Sequence, residues 1–146
     1  VNLESVKLIL TLTQTLTHNP NTNPLTLVGK TTWAKQTIPK PCLFVSHIDD
    51  LRRFKTDYHV SILFDDVSIQ HMPETAQIHL LDQENPRSIH CRYGTARIPA
   101  NTIKIFTCNS VPVSIHAPAI SRRVQVLMCT ESDLERERPK SLVKFY

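Results

Sequence analysis

The stretch Val60-Ser61-Ile62-Leu63-Phe64-Asp65-Asp66 decides the fold class. Four of its first five residues are apolar and two of those are β-branched, the composition of a strand buried on both faces. It then stops on two adjacent carboxylates. Open α/β sheets bind ligands at the carboxyl ends of their parallel strands, so an acid pair delivered there is placed for chemistry. Strands that simply end in an acidic turn share the pattern, and the neighbouring stretches have to decide between the two.

Downstream, Lys104-Ile105-Phe106-Thr107-Cys108-Asn109 is a second apolar strand, ending on an amide. Beside a carboxylate-ended strand, Asn109 is placed to orient a water or to sense a phosphate; a turn-forming Asn is the plain alternative. Between the two strands, Pro73 and Glu74 open a helix that carries Ile78 and Leu81 and ends before Pro86. Arg87 to Pro99 then forms a hairpin turning at Gly94. Alternation places Ser88, His90 and Arg92 on one of its faces, with Ile89, Cys91 and Tyr93 on the other. Arg92, Arg97 and a stacking Tyr93 around a turn suit a nucleic-acid backbone, although ordinary surface arginines look the same.

Upstream, Pro24-Leu25-Thr26-Leu27-Val28 reads as a short strand, followed by Gly29-Lys30-Thr31-Thr32-Trp33-Ala34-Lys35. The second stretch has the residues of a phosphate-binding loop entering its helix: a Lys for the phosphates and a hydroxyl for Mg²⁺. Such a loop needs Gly, four residues, then Gly-Lys-Thr, so that consecutive amides wrap an anion. Counting back from Lys30 puts Pro24 in the first position, and Pro has no N–H to give. Alternatively Gly29 is the first glycine and about five residues before the Lys are missing, which leaves Leu25 to Val28 as a strand. A helix from Thr31 ends near Thr37 because Pro39 and Pro41 follow. Cys42 to Val45 is the next strand, and Asp49 or Asp50 caps a short helix through Phe54.

Residues 1–23 alternate Leu and Thr, a period that favours a strand over a helix, before a turn-rich linker from His18 to Asn23, and stand as an N-terminal segment ahead of the domain. Adjacent Arg122 and Arg123 precede a strand from Val124 to Met128, and residues 131–146 form a charged tail. The four cysteines are isolated and contain no CxxC pair, so a zinc knuckle is unsupported and reduced intracellular thiols are expected. The seven histidines are scattered, His90 alone standing near other polar candidates. No apolar run approaches the ~18 residues of a membrane span, and no stretch reads as a signal peptide. A net charge of +4 is compatible with nucleic acid without requiring it.

In this order the stretches 29–35, 62–66, 92–100, 104–109 and 120–123 resemble the superfamily 3 helicase domain of replication-associated (Rep) proteins from circular single-stranded DNA viruses and related plasmids. The resemblance covers residues 24–130. It implies an α/β P-loop NTPase of AAA+-like type, with a central, mostly parallel sheet flanked by helices. It further implies ATP and Mg²⁺ as cofactors, single-stranded DNA as partner, a homo-oligomeric ring, and a location in the host nucleus.

Carried over by position, Gly29, Lys30, Thr31 and Thr32 hold nucleotide, Thr31 and Asp65 hold the metal, and Asp65 and Asp66 are the Walker B acids. Asn109 becomes the sensor, and Arg122 or Arg123 the finger acting across subunits. Arg92, Tyr93, Arg97 and Lys104 become the DNA-gripping group. The incomplete phosphate loop departs from the family and leaves two further readings: a non-enzymatic nucleic-acid-binding or oligomerisation module, and an RNA-directed helicase.

Overall fold

The computed structural model describes residues 6–11 and 25–129. Five parallel strands form its sheet: β1 (Val6–Thr11), β2 (Cys42–Val45), β3 (Ser61–Asp65), β6 (Ile103–Cys108) and β7 (Val124–Cys129). Their spatial order is β2-β3-β6-β1-β7. A separate antiparallel hairpin joins β4 (Arg87–Cys91) to β5 (Gly94–Ile98). The helices are α1 (Leu25–Thr37), α2 (Glu74–Leu81) and α3 (Pro118–Ser121), with a 3₁₀ helix at Ile48–Arg53. The expected α/β class with a parallel sheet flanked by helices is what the chain adopts.

The connection from β1 through α1 to β2 passes over β6 and β3, while every later crossover runs the other way. Right-handed crossovers therefore place α1 on one face of the sheet and the remaining helices and the hairpin on the other. Two cores result. Trp33, Ala34 and Ile38 of α1 pack with Leu63, Ile105 and Leu127. On the opposite face Leu51, Leu80, Leu81, Ile89, Ile98 and Ile120 pack over Ile62, Phe64 and Phe106. Phe64 and Phe106 are register partners on β3 and β6, and their rings stack at 4.1 Å.

Four expectations change. Leu25–Val28 is not a strand but the start of α1, which runs unbroken through Gly29 and Lys30 to Thr37. Four apolar or β-branched residues fit either structure, and Pro24 directly before them is the start signal that settles it. The alternating Leu/Thr run does form the strand its period favours, β1 at Val6–Thr11, and because β1 lies between β6 and β7 and pairs with both, the folded unit reaches beyond the boundary expected at residue 24. His18 to Asn23 and the tail from 131 lie outside the described residues.

The 3₁₀ helix is capped by His47, whose Nδ1 accepts the Asp49 amide at 3.2 Å, and not by an aspartate side chain at the N-cap position. Asp50 instead reaches back to accept the His47 amide at 3.1 Å, closing a capping box. The hairpin turns on Arg92 and Tyr93, with Cys91 paired to Gly94, one step earlier than expected. The left-handed backbone falls on Tyr93 at φ 67°, and Gly94 has no positive φ.

Candidate functional site

Period-two alternation decides which face each β3 residue serves. Ser61, Leu63 and Asp65 point toward α1, and Ile62 and Phe64 point away. Asp65 thus meets α1 at the carboxyl end of the sheet, where the Thr31 hydroxyl donates to its Oδ1 at 2.6 Å. The Thr107 hydroxyl, on β6 in register with Asp65, donates to the same oxygen at 3.0 Å. Residues 31, 65 and 107, far apart in sequence, converge on one carboxylate oxygen. Thr107 was not among the residues singled out from sequence. Its position two before Asn109 on the same strand puts it on the face of Ile105, and that alternation was the available signal.

The Asp66 amide donates to the Thr107 carbonyl at 2.8 Å, and its φ of 55° turns the chain off the strand with the carboxylate exposed. Aspartate is among the few residues that tolerate this conformation. Asn109 is exposed just past the end of β6, on the same sheet edge as Asp65 and Asp66, and Thr32 is exposed on α1. This edge is also where the chain reverses its winding: the crossover leaving β1 goes one way and that leaving β6 the other, opening a crevice between neighbouring strands.

Gly29 and Lys30 enter this region as part of a helix and not of a loop. Their amides belong to the i→i−4 ladder, whose unpaired donors are at the start of α1. No glycine occurs between Thr11 and Leu25 either. Both alignments of a phosphate loop onto 24–31 are overturned, the shortened one included, because no loop separates Val28 from Thr31.

Arg122 and Arg123 lie at the opposite, amino edge of the sheet, just before β7. They border a polar cavity of about 460 Å³ with Asp82, Gln83 and Arg87, and Arg123 donates to the Ala119 carbonyl. Within one chain they do not meet Asp65.

Lys104 is not part of any nucleic-acid surface. It is paired in register with Ile62 on the hairpin-covered face and is 1% exposed. Its Nζ donates to the Asp82 carbonyl at 3.0 Å. Burial, partly opposed by the Asp82 charge, pulls its pKa from 10.5 down to about 8. Asp82 is buried as well. Burial alone would raise its pKa, but the Glu84 amide, the Arg87 and Asn85 side chains and the Asn85 amide together hold it down at about 2. Arg87 completes this cluster with a 2.8 Å ion pair to Asp82.

Arg92, Tyr93 and Arg97 are all exposed, and Tyr93 at 81% is the most exposed large hydrophobic among the described residues. The Arg92 guanidinium lies 5.1 Å from the Tyr93 ring centroid. Asp49 pins this tip to the body by accepting the Arg92 amide at 2.7 Å, a contact that no sequence spacing announced. His90 is exposed on the outer face of the hairpin. Among the described residues no three His, Cys, Asp or Glu side chains cluster, and no helix is long and apolar enough to cross a membrane.

No protein-family model and no curated protein matches the chain.

Proposed function

We propose that this chain is the ATPase domain of a helicase of the superfamily 3 type, acting on single-stranded nucleic acid as an oligomer. The observation that carries the reading is the 2.6 Å contact between the Thr31 hydroxyl and the Asp65 carboxylate. The family resemblance pairs those residues, 34 positions apart, as metal ligands, and they meet at the carboxyl edge beside the winding reversal. Mg²⁺ takes few protein ligands and keeps waters and phosphate oxygens for the rest, and a hydroxyl with a carboxylate is a donor set of that kind. Thr107 fixes the Asp65 rotamer from the neighbouring strand. Asp66, exposed alongside, is the acid placed to orient a water, and Asn109 lines the same edge.

ATP would supply the phosphoryl group whose transfer drives movement. The residues present fit its metal better than its phosphates, since Gly29 and Lys30 are helical and form no amide nest. That mismatch favours a second reading, a fold that keeps the DNA-facing hairpin and binds nucleic acid without turnover. Steady-state ATP hydrolysis with and without single-stranded DNA separates the two. The first reading expects turnover that needs Mg²⁺ and falls at least 100-fold in Asp66→Asn, because positioning and electrostatics carry phosphoryl transfer. DNA binding with no turnover above background supports the second.

A further inference from the structure

Two of the four exposed large hydrophobics among the described residues, Phe44 (36%) and Tyr58 (59%), line one groove, and a third, Val60 (44%), follows two residues after Tyr58. They surround β2, the edge strand of the sheet. The groove, of about 650 Å³, has an apolar floor of Ile38, Pro41 and Leu63, the exposed Tyr58, and Lys35 and Lys40 at its rim. Scattered exposed apolar residues need no explanation, but a contiguous group with a polar rim marks an interaction site.

The surroundings identify the occupant. Lys35 Nζ stands 4.5 Å from the Phe44 ring centroid, while Arg53 on the other side of the edge donates to the Phe44 carbonyl at 3.3 Å. Cations from both faces of the sheet are thus tied to the same edge residue. From Arg53 the 3₁₀ helix leads back through Arg52 to Asp49, which holds the Arg92 amide at the hairpin tip. Six exposed cations (Lys35, Lys40, Arg52, Arg53, Lys55 and Arg92) sit on these elements and the turns beside them, against three carboxylates, Asp49, Asp50 and Asp57. Asp50 and Arg53 are paired with each other, which leaves five cations against two carboxylates, and Asp49 accepts the Arg92 amide. A band of cations broken by exposed aromatic rings at both ends, Tyr93 and Tyr58, is the arrangement that holds an unpaired nucleic-acid strand, phosphates on the cations and bases on the rings.

We propose that a single-stranded nucleic acid leaves the hairpin tip, follows the 3₁₀ helix over the β2 edge, and seats a base on Tyr58 with its phosphates at Lys35 and Lys40. The proposal extends the nucleic-acid part of the functional reading to a second surface, and it does not depend on nucleotide hydrolysis.

The test is fluorescence anisotropy of labelled oligo-dT and oligo-rU on the full chain across a salt titration. Lys35→Gln with Lys40→Gln should flatten the slope of log K against log salt by about 1.4, two phosphate contacts at about 0.7 each. Tyr58→Ala should weaken binding about 5- to 100-fold and Tyr58→Phe should not, since stacking needs the ring and not the hydroxyl. All three side chains are solvent-facing, and a melting curve for each variant verifies that the fold persists. Unchanged slope and affinity in these variants would overturn the track, as would equal affinity for duplex DNA, or seating of an apolar peptide in the groove without competition from oligo-dT. Mg²⁺-ATP binding is measured on the same proteins. Loss of the track with nucleotide binding intact overturns this proposal alone, and an intact track without nucleotide binding overturns the ATPase reading alone.

Discussion

Replacing Lys104 by Met tests the account of the buried core quantitatively. The ammonium sits at 1% exposure with its Nζ bonded to the Asp82 carbonyl, and its pKa falls from 10.5 to about 8. At about 1.36 kcal/mol per pH unit, the folded state carries about 3 kcal/mol of unfavourable charge burial at pH 7. Met fills nearly the same volume without the charge. Losing the hydrogen bond to the Asp82 carbonyl takes back about 1 kcal/mol, so the variant should gain about 2 kcal/mol and melt roughly 4–8 °C higher.

The pH dependence carries the sign. Between pH 8 and 10.5 the unfolded lysine holds a proton that the folded one has released, so raising pH through this window favours folding of the native chain. The advantage of Lys104→Met should therefore shrink from pH 8 upward and be nearly gone by pH 10. Cys91, whose thiol is pushed up mainly by burial, works in the opposite sense above pH 9, but it is common to both proteins and cancels in their difference. Urea melts of the two proteins at pH 7, 8, 9 and 10 supply the measurement. A variant that is less stable at pH 7, or a gap that does not close with pH, would refute the reasoning.

Asp82→Asn should cost about 2 kcal/mol at pH 7. The carboxylate is held at about 2, so its contribution is complete above about pH 4 and lost as pH falls toward 2; acid titration of both proteins should show their stabilities converging there. Tyr93→Gly should leave stability unchanged or raise it, because the left-handed backbone at φ 67° costs a tyrosine about 1 kcal/mol, while single-stranded DNA affinity falls for lack of the ring; a melting curve and an anisotropy titration of one preparation check both halves. Asp49→Ala should reduce DNA binding less than Arg92→Ala does, since it frees the tip but keeps the Arg92 cation and removes a carboxylate that repels phosphate, and protection of the Arg92 amide from hydrogen exchange should drop with it.

Strands that read as apolar runs ending on polar residues were legible, because a buried parallel strand has few alternatives: Cys42–Val45, Ser61–Asp65, Ile103–Cys108 and Val124–Cys129 all form near their expected bounds. The pairing of Thr31 with Asp65 was legible only through the family resemblance, since nothing local links residues 34 apart. The start of α1 was not, because Leu-Thr-Leu-Val fits strand and helix equally and the proline before it was counted as a defective loop position instead of a helix start. Lys104 was misplaced for a different reason. Proximity in sequence to the hairpin suggested a surface role, whereas its register opposite Ile62 puts it on the covered face of a central strand. Asp49 acts through a tertiary neighbour, the Arg92 amide, that no spacing rule reaches, while Thr107 was open to strand alternation from Ile105. Gln83 is buried beside the polar cavity with neither side-chain polar atom hydrogen-bonded to the protein.

The most direct test of the central claim is the melting temperature of the chain across a Mg²⁺-ATP titration, alongside Thr31→Val and Asp65→Asn. If the hydroxyl–carboxylate pair holds the metal of a bound nucleotide, the native chain gains a saturable shift. It should reach about 2.7 kcal/mol at 100 times the dissociation constant, vanish without Mg²⁺, and vanish in Asp65→Asn. No shift up to millimolar nucleotide, or a shift that both variants retain, would contradict it and leave the fold without the fuel its site was read to hold.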